Sequence, residues 1–205
     1  MIIVVEGPSA AGKTTWIAAH SPPAAVIGEM PSGPAPDRDL DPDGAAAHWA
    51  ALSAARWHAA HQAERATGTA VCDTDPLKLH YIWSLWRTGH AGTRQWHAEL
   101  SATRQLFAWH HLGIADLILI DIPGPATLAA RRQADTTRQR RNFDLHLQFA
   151  SLLRDWYQAV ERLDPARVHW ELPPAGLPGT SRLGPRDNST GTDALDALID
   201  QLPAR

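Results

Sequence analysis

Glu6-Gly7-Pro8-Ser9-Ala10-Ala11-Gly12-Lys13-Thr14-Thr15 gathers an acid, two glycines, an ammonium and two threonine hydroxyls into ten consecutive residues. The pattern, G-x-x-x-x-G-K-T, follows the β-branched run Ile2-Ile3-Val4-Val5 and leads into Trp16–His20, which continues as a helix. Strand, glycine loop and helix in that order make a phosphate cradle. Successive backbone N–H groups turn inward, and the helix N-terminus adds partial positive charge. Gly7, Ser9, Ala10, Ala11, Gly12 and Thr15 are expected to hold phosphates chiefly through the backbone. Lys13 is expected on the β- and γ-phosphates, and the Thr14 hydroxyl on Mg²⁺. Glu6 projects a carboxylate toward the space beyond the γ-phosphate. There it can accept the proton of an attacking hydroxyl, or orient loop amides and a metal-bound water.

A second acidic motif, Asp73-Thr74-Asp75-Pro76, closes a strand pattern and opens a helix. Open parallel sheets bind ligands beyond the C-terminal edges of their strands. Asp73 is therefore a candidate for metal or substrate, and a second candidate base. Asp121, at the end of the most apolar strand pattern, is the alternative Mg²⁺-side carboxylate. Asp75 reads as a substrate ligand or, standing before Pro76, as a helix N-cap. Lys78 follows within a turn and can face the phosphates. It and Lys13 are the only two lysines in the chain, and a lysine retained in so arginine-rich a composition suggests a need for a compact ammonium. His80, Trp83 and Arg87 then share one helix face at i, i+3 and i+7. They line an acceptor pocket on one reading and pack the core on the other.

Arg131, Arg132, Arg138, Arg140 and Arg141 put five guanidinium groups into eleven residues. Such clusters are ordinarily solvated faces. Beside a phosphate loop they gain a second reading, a lid that neutralises charge on a transferring phosphoryl group and excludes water. Arg132, Arg138 and Arg140 are its candidates. The pairs His58/His61 and His110/His111 lack a third ligand at a metal-site spacing, so no structural metal centre is expected. Most of the nine tryptophans are expected in the core.

These groups need a scaffold that alternates strands and helices, which points to an α/β domain with a parallel sheet. Strands are expected at Ile2–Val5, Ala24–Gly28, Thr69–Asp73, Ala115–Ile122 and Arg167–Glu171. Helices are expected at Gly12–His20, Ala45–Thr67, Pro76–Thr88, after Gly92 to Leu112, Pro125–Ala134 and Asn142–Leu163. Residues 1–172 form the expected main domain and 173–192 a Pro/Gly-rich linker. Residues 193–205 carry a short amphipathic helix expected to dock back. With 205 residues, 44% of them hydrophobic, the chain can bury a full core. A net charge of −3 argues against nucleic acid as a partner. The single cysteine, Cys72, suits a reducing cytoplasm. No apolar run reaches membrane-spanning length, so no membrane partner is expected.

The loop Glu6-Gly7-x-x-Ala10-Ala11-Gly12-Lys13-Thr14-Thr15 resembles the E-G-x-x-A-A-G-K-S-T loop of P-loop nucleoside and nucleotide kinases, in the deoxynucleoside kinase and thymidylate kinase branch. The resemblance implies a three-layer P-loop NTPase fold. Its sheet has five parallel strands in the order 2-3-1-4-5, with an arginine-rich lid. It implies ATP with Mg²⁺, a small-molecule acceptor and Glu6 as the base for the acceptor hydroxyl. Asp73 and the Arg138/Arg140 pair stand where that family has its third-strand acid and its lid. Enzymes of this kind are often homodimers. Two departures matter. The family follows its third-strand acid with arginine, whereas Thr74 stands here, leaving Lys78 or Arg87 as candidate replacements. Its Glu-Pro motif survives only as Glu29-Met30-Pro31. The acceptor therefore stays open between a nucleoside or nucleotide and another metabolite or antibiotic. A nucleotide-dependent switch or ATPase with no acceptor is the rival class.

Overall fold

The computed structural model describes residues 1–30, 33–135, 143–177 and 191–204. Runs of Ile, Val and Leu form the centre of a sheet because both of its faces must be covered, so its inner strands are apolar throughout. The strands are β1 (Ile2–Glu6), β2 (Val26–Ile27), β3 (Ala70–Asp73), β4 (Leu117–Ile120) and β5 (Val168–His169). All pair in parallel, in the order β2-β3-β1-β4-β5. This is the order expected from the sequence. The register sets Val5 beside Asp73 and Glu6 beside Ile120. Glu6, Asp73 and Asp121 consequently emerge along one C-terminal edge.

The helices are α1 (Lys13–His20), α2 (Pro42–Thr67), α3 (Leu79–Arg87), α4 (Thr93–Ala108), α5 (Pro125–Ala134), α6 (Phe143–Gln148), α7 (Ala150–Leu163) and α8 (Thr192–Asp200). One sheet face, with Ile2, Val4, Cys72, Ile118 and Ile120, meets Trp57 of α2, Ile82 and Trp83 of α3, Phe107 of α4 and Trp156 of α7. The other, with Ile3, Val5, Val71, Leu117 and Leu119, meets Ile17 of α1. Trp16, Leu172 and Leu177 pack at its margin.

Several boundaries differ from the expected ones for local reasons. The long second helix starts earlier, at Pro42, because the Asp41 side chain caps it by accepting from the Gly44 amide at 2.9 Å. The third helix starts later, at Leu79. Asp75 accepts instead from the Leu77 amide at 2.9 Å, which curls Pro76–Lys78 into a turn, so Asp75 is not its N-cap. The helix expected over Asn142–Leu163 breaks at Phe149 into α6 and α7. The Phe149 ring is buried there, 5.8 Å from Tyr81 and 6.4 Å from His146. The expected second strand opens as a 3₁₀ turn at Pro23–Ala25, leaving two residues of strand.

Helix α8 packs on α4 and α7, with Leu195 and Leu198 fully buried. Arg104 Nη2 meets Asp196 at 2.6 Å, and Arg162 Nη2 donates to the Gln201 carbonyl at 2.6 Å. At the other end of the expected linker, Trp16 Nε1 donates to the Pro173 carbonyl at 2.9 Å. Among the described residues, no helix is long and apolar enough to cross a membrane.

Removing a fully buried leucine costs both transfer energy and a cavity. Leu195→Ala should lower stability by about 2–5 kcal/mol in urea unfolding. A loss below about 0.5 kcal/mol, typical of a surface substitution, would mean that α8 does not hold this position.

Candidate functional site

The loop between β1 and α1 needs glycine at two places. Gly7 has φ +150°, and a Cβ there would overlap the Asp121 carbonyl oxygen. Gly12 has φ +96° and leads directly into α1. The intervening backbone lies in a cleft of about 1450 Å³ that Ser9, Ala10, Ala11, Thr14 and Thr15 also line. That volume exceeds the roughly 300–1,000 Å³ of a typical small-ligand pocket.

Glu6 joins this loop to the one after β3. Its Oε1 accepts from the Gly7 amide and its Oε2 from the Asp75 amide, both at 2.9 Å. His80 Nε2 stands 3.6 Å from Oε2. Burial alone would push the Glu6 carboxyl up. The His80 imidazole and the Lys78 and Lys13 ammonium groups outweigh burial and hold it well below the usual carboxylate range. The two amide donors favour the same charged form. Lys13 donates to the Gly7 and Pro8 carbonyls at 2.7 and 3.2 Å. Burial lowers its pKa, with Glu6 opposing.

Thr14 Oγ1 donates to Asp73 Oδ2 at 2.7 Å. A hydroxyl and a carboxylate in contact beside a phosphate cradle are hard oxygen donors of the kind Mg²⁺ takes alongside phosphate oxygens. They fit the ion expected from the sequence. Asp121 lines the same cleft from the β4 side. Burial raises its pKa and Arg131 opposes that shift.

Thr74 sits between the two acids with φ +67°, a costly conformation for a β-branched residue. Arg56 of α2 holds it there. Arg56 is 4% exposed, and its guanidinium donates to the carbonyls of Asp73 (2.7 Å), Thr74 (2.8 Å), Asp75 (3.2 Å) and Gly28 (3.3 Å). Thr74 Oγ1 also donates to Glu29 at 3.2 Å, and Lys78 lies 3.6 Å from the same carboxylate oxygen. Asp75 is buried, with Oδ2 accepting from Tyr157 of α7 at 3.0 Å. Burial raises its pKa, with His80 opposing.

The structure thus brings together Glu6, the loop, Lys13, Thr14, Asp73, Asp121, Lys78 and His80 around one cleft. Asp75 lies behind that surface and locks the loop to α7. Trp83 does not join the cleft. It is 2% exposed and packs in the core 5.9 Å from Trp156. Arg87 lies over Trp83 and donates to the carbonyls of Pro203 and Ala204, so it anchors the C-terminal segment. The cleft-facing residues of α3 are His80, Tyr81 and Ser84. Arg132 pairs with Asp144 at 3.4 Å and lies over Phe143. Its neighbour Arg131 reaches the cradle instead, donating to the Ala11 carbonyl at 2.7 Å. Arg138 and Arg140 lie outside the described residues.

Arg56 and the wall of Tyr81, His146 and Phe149 are not among the residues the sequence motifs point to. Arg56 carried a signal, because it shares the buried stripe of α2 with Ser53, Trp57 and Ala60. A charged residue on an apolar stripe must find partners. The aromatic wall carried none, because it depends on the break at Phe149.

The folded-state pKa of Glu6 is below its ordinary value. Its contribution to stability is therefore full above about pH 4.5, shrinks progressively as pH falls below that, and is gone once pH has passed through the lower folded value. Glutamine can accept from only one of the two amides. Glu6→Gln should be less stable than the parent at about pH 7, with the gap narrowing at about pH 3. Urea unfolding at both pH values checks this, and an unchanged gap would contradict it.

Among solved structures, the chain is similar to the deoxyadenosine kinase from M. mycoides with bound dATP. The TM-score is 0.52 at 11% identity, over 83% of this chain and 91% of that one. No family model and no curated protein sequence matches. At that identity the likeness speaks to architecture alone, and with the strand order it gives the chain a P-loop kinase fold.

Proposed function

We propose that this chain is an ATP-dependent small-molecule kinase. It transfers the γ-phosphoryl group to a hydroxyl or phosphate of a nucleoside- or nucleotide-like acceptor. The observation that carries the reading is the position of Glu6. Its charged carboxylate is fixed where the phosphate loop meets the β3 loop, and it lines the cleft of about 1450 Å³. The kinase architecture supports phosphoryl transfer as the reaction class. A deoxynucleoside heads the list of acceptors to be tried.

In this reading the loop amides and Lys13 hold the triphosphate. Thr14 and Asp73 would hold Mg²⁺, which would supply charge neutralisation at the phosphate oxygens. Glu6 accepts a hydrogen bond from the acceptor hydroxyl and aims its oxygen at the γ-phosphorus. A carboxylate held this far below the usual range is a weak base. Phosphoryl transfer has a loose transition state, so aiming the nucleophile matters more than early proton removal. Arg131 steadies the cradle. Arg138 and Arg140 are assigned to the transferring charge from the sequence. Tyr81, His146 and Phe149 offer rings for a planar acceptor to stack on.

The test is incubation with ATP and Mg²⁺ against nucleosides, nucleotides, aminoglycosides and other hydroxylated metabolites, read by mass spectrometry for one added phosphoryl group. A phosphorylated nucleoside or nucleotide is expected. Lys13→Ala should remove most activity. Glu6→Gln should lower kcat by about 10²-fold, the cost of a misaimed nucleophile, with ATP affinity nearly intact. ATP hydrolysis that no acceptor stimulates would replace this reading with a nucleotide switch or ATPase. A product only among the other compounds would keep the chemistry and change the acceptor class.

A further inference from the structure

Glu6 Oε2 has one firm donor, the Asp75 amide, and a second polar neighbour that stops short of a bond. That neighbour, His80 Nε2, is buried and has no hydrogen-bond partner among the described residues. Its ring is enclosed by Trp156 and Tyr157, with centroids 6.2 and 6.1 Å away. A buried ring nitrogen left unpaired is costly. Glu6 at 3.6 Å is the group it meets, about half an ångström beyond hydrogen-bond reach. Catalytic hydrogen bonds are often long in empty sites and shorten when substrates load. His80 is also part of the cleft wall, on the first turn of α3. Arg87 cannot supply the cation missing after Asp73, because it is tied to Pro203 and Ala204. Lys78 pairs with Glu29.

We propose that His80 is the positioning residue for Glu6, its Nε2–H closing onto Oε2 to fix the carboxylate that aims the acceptor hydroxyl. The inference rests on the kinase reading for its catalytic consequence. The contact itself can be tested without it.

The experiment compares His80→Leu, which removes the donor, with His80→Gln, whose amide nitrogen reaches to a similar distance. Each is made alone and together with Glu6→Gln. His80→Leu should lower kcat at least about tenfold, while the KM for acceptor and the affinity for ATP stay within about twofold. His80→Gln should recover most of the loss. In the Glu6→Gln background His80→Leu should cost nothing further, either in kcat or in the midpoint of urea unfolding. Equal damage from Leu and Gln, or losses that simply add to those of Glu6→Gln, would overturn the proposal and leave His80 as packing. If the parent protein phosphorylates no acceptor, the kinase reading fails, and the unfolding cycle alone decides whether His80 acts through Glu6.

Discussion

One carboxylate holds the two halves of this site in register. Glu6 ends β1, and its two oxygens bind the first amide of the phosphate loop and an amide of the loop after β3. Buried carboxylates are expensive unless their lone pairs are used. Here the two amides and the surrounding His80, Lys78 and Lys13 offset that expense and keep the group charged. Any rotation of Glu6 would strand both amides at once. The cradle and the Asp73–Asp75 segment therefore behave as one rigid piece.

The β3 side of that piece is strained and needs support of its own. Thr74 adopts a positive φ that its branched side chain disfavours. Arg56 gathers the carbonyls on either side of it, and Tyr157 ties Asp75 to α7. Strain of this kind persists where the surroundings over-determine the backbone, and it clusters at functional sites. Its effect is to set the Asp73 carboxylate against Thr14 and to aim the Asp75 amide at Glu6.

The fold was largely legible in the sequence. Ile2–Val5 and Ala115–Ile122 read as buried strands, and the glycine loop between strand and helix marks the head of a P-loop domain. Strand order followed from resemblance, and the pairing of β1 with both β3 and β4 agrees with it. The cradle residues and Asp73 were legible for the same reason, since local spacing fixes them. The acceptor side was not. Helical periodicity put Trp83 and Arg87 on one face with His80 but could not say which part of that face meets solvent. Packing against Trp156 and the C-terminal segment took both away. Arg56 and Tyr157 act across 17 to 82 residues of chain, and no local pattern announces such partners.

The bridge can be read from amide hydrogen exchange at Gly7 and Asp75 in the parent chain and in Glu6→Ala, which removes both acceptor oxygens. Both amides should lose protection together, by about tenfold or more, while Val4 inside β1 keeps its own. Unchanged protection at Asp75 would show that the loop after β3 holds its place without Glu6 and that the carboxylate is no bridge.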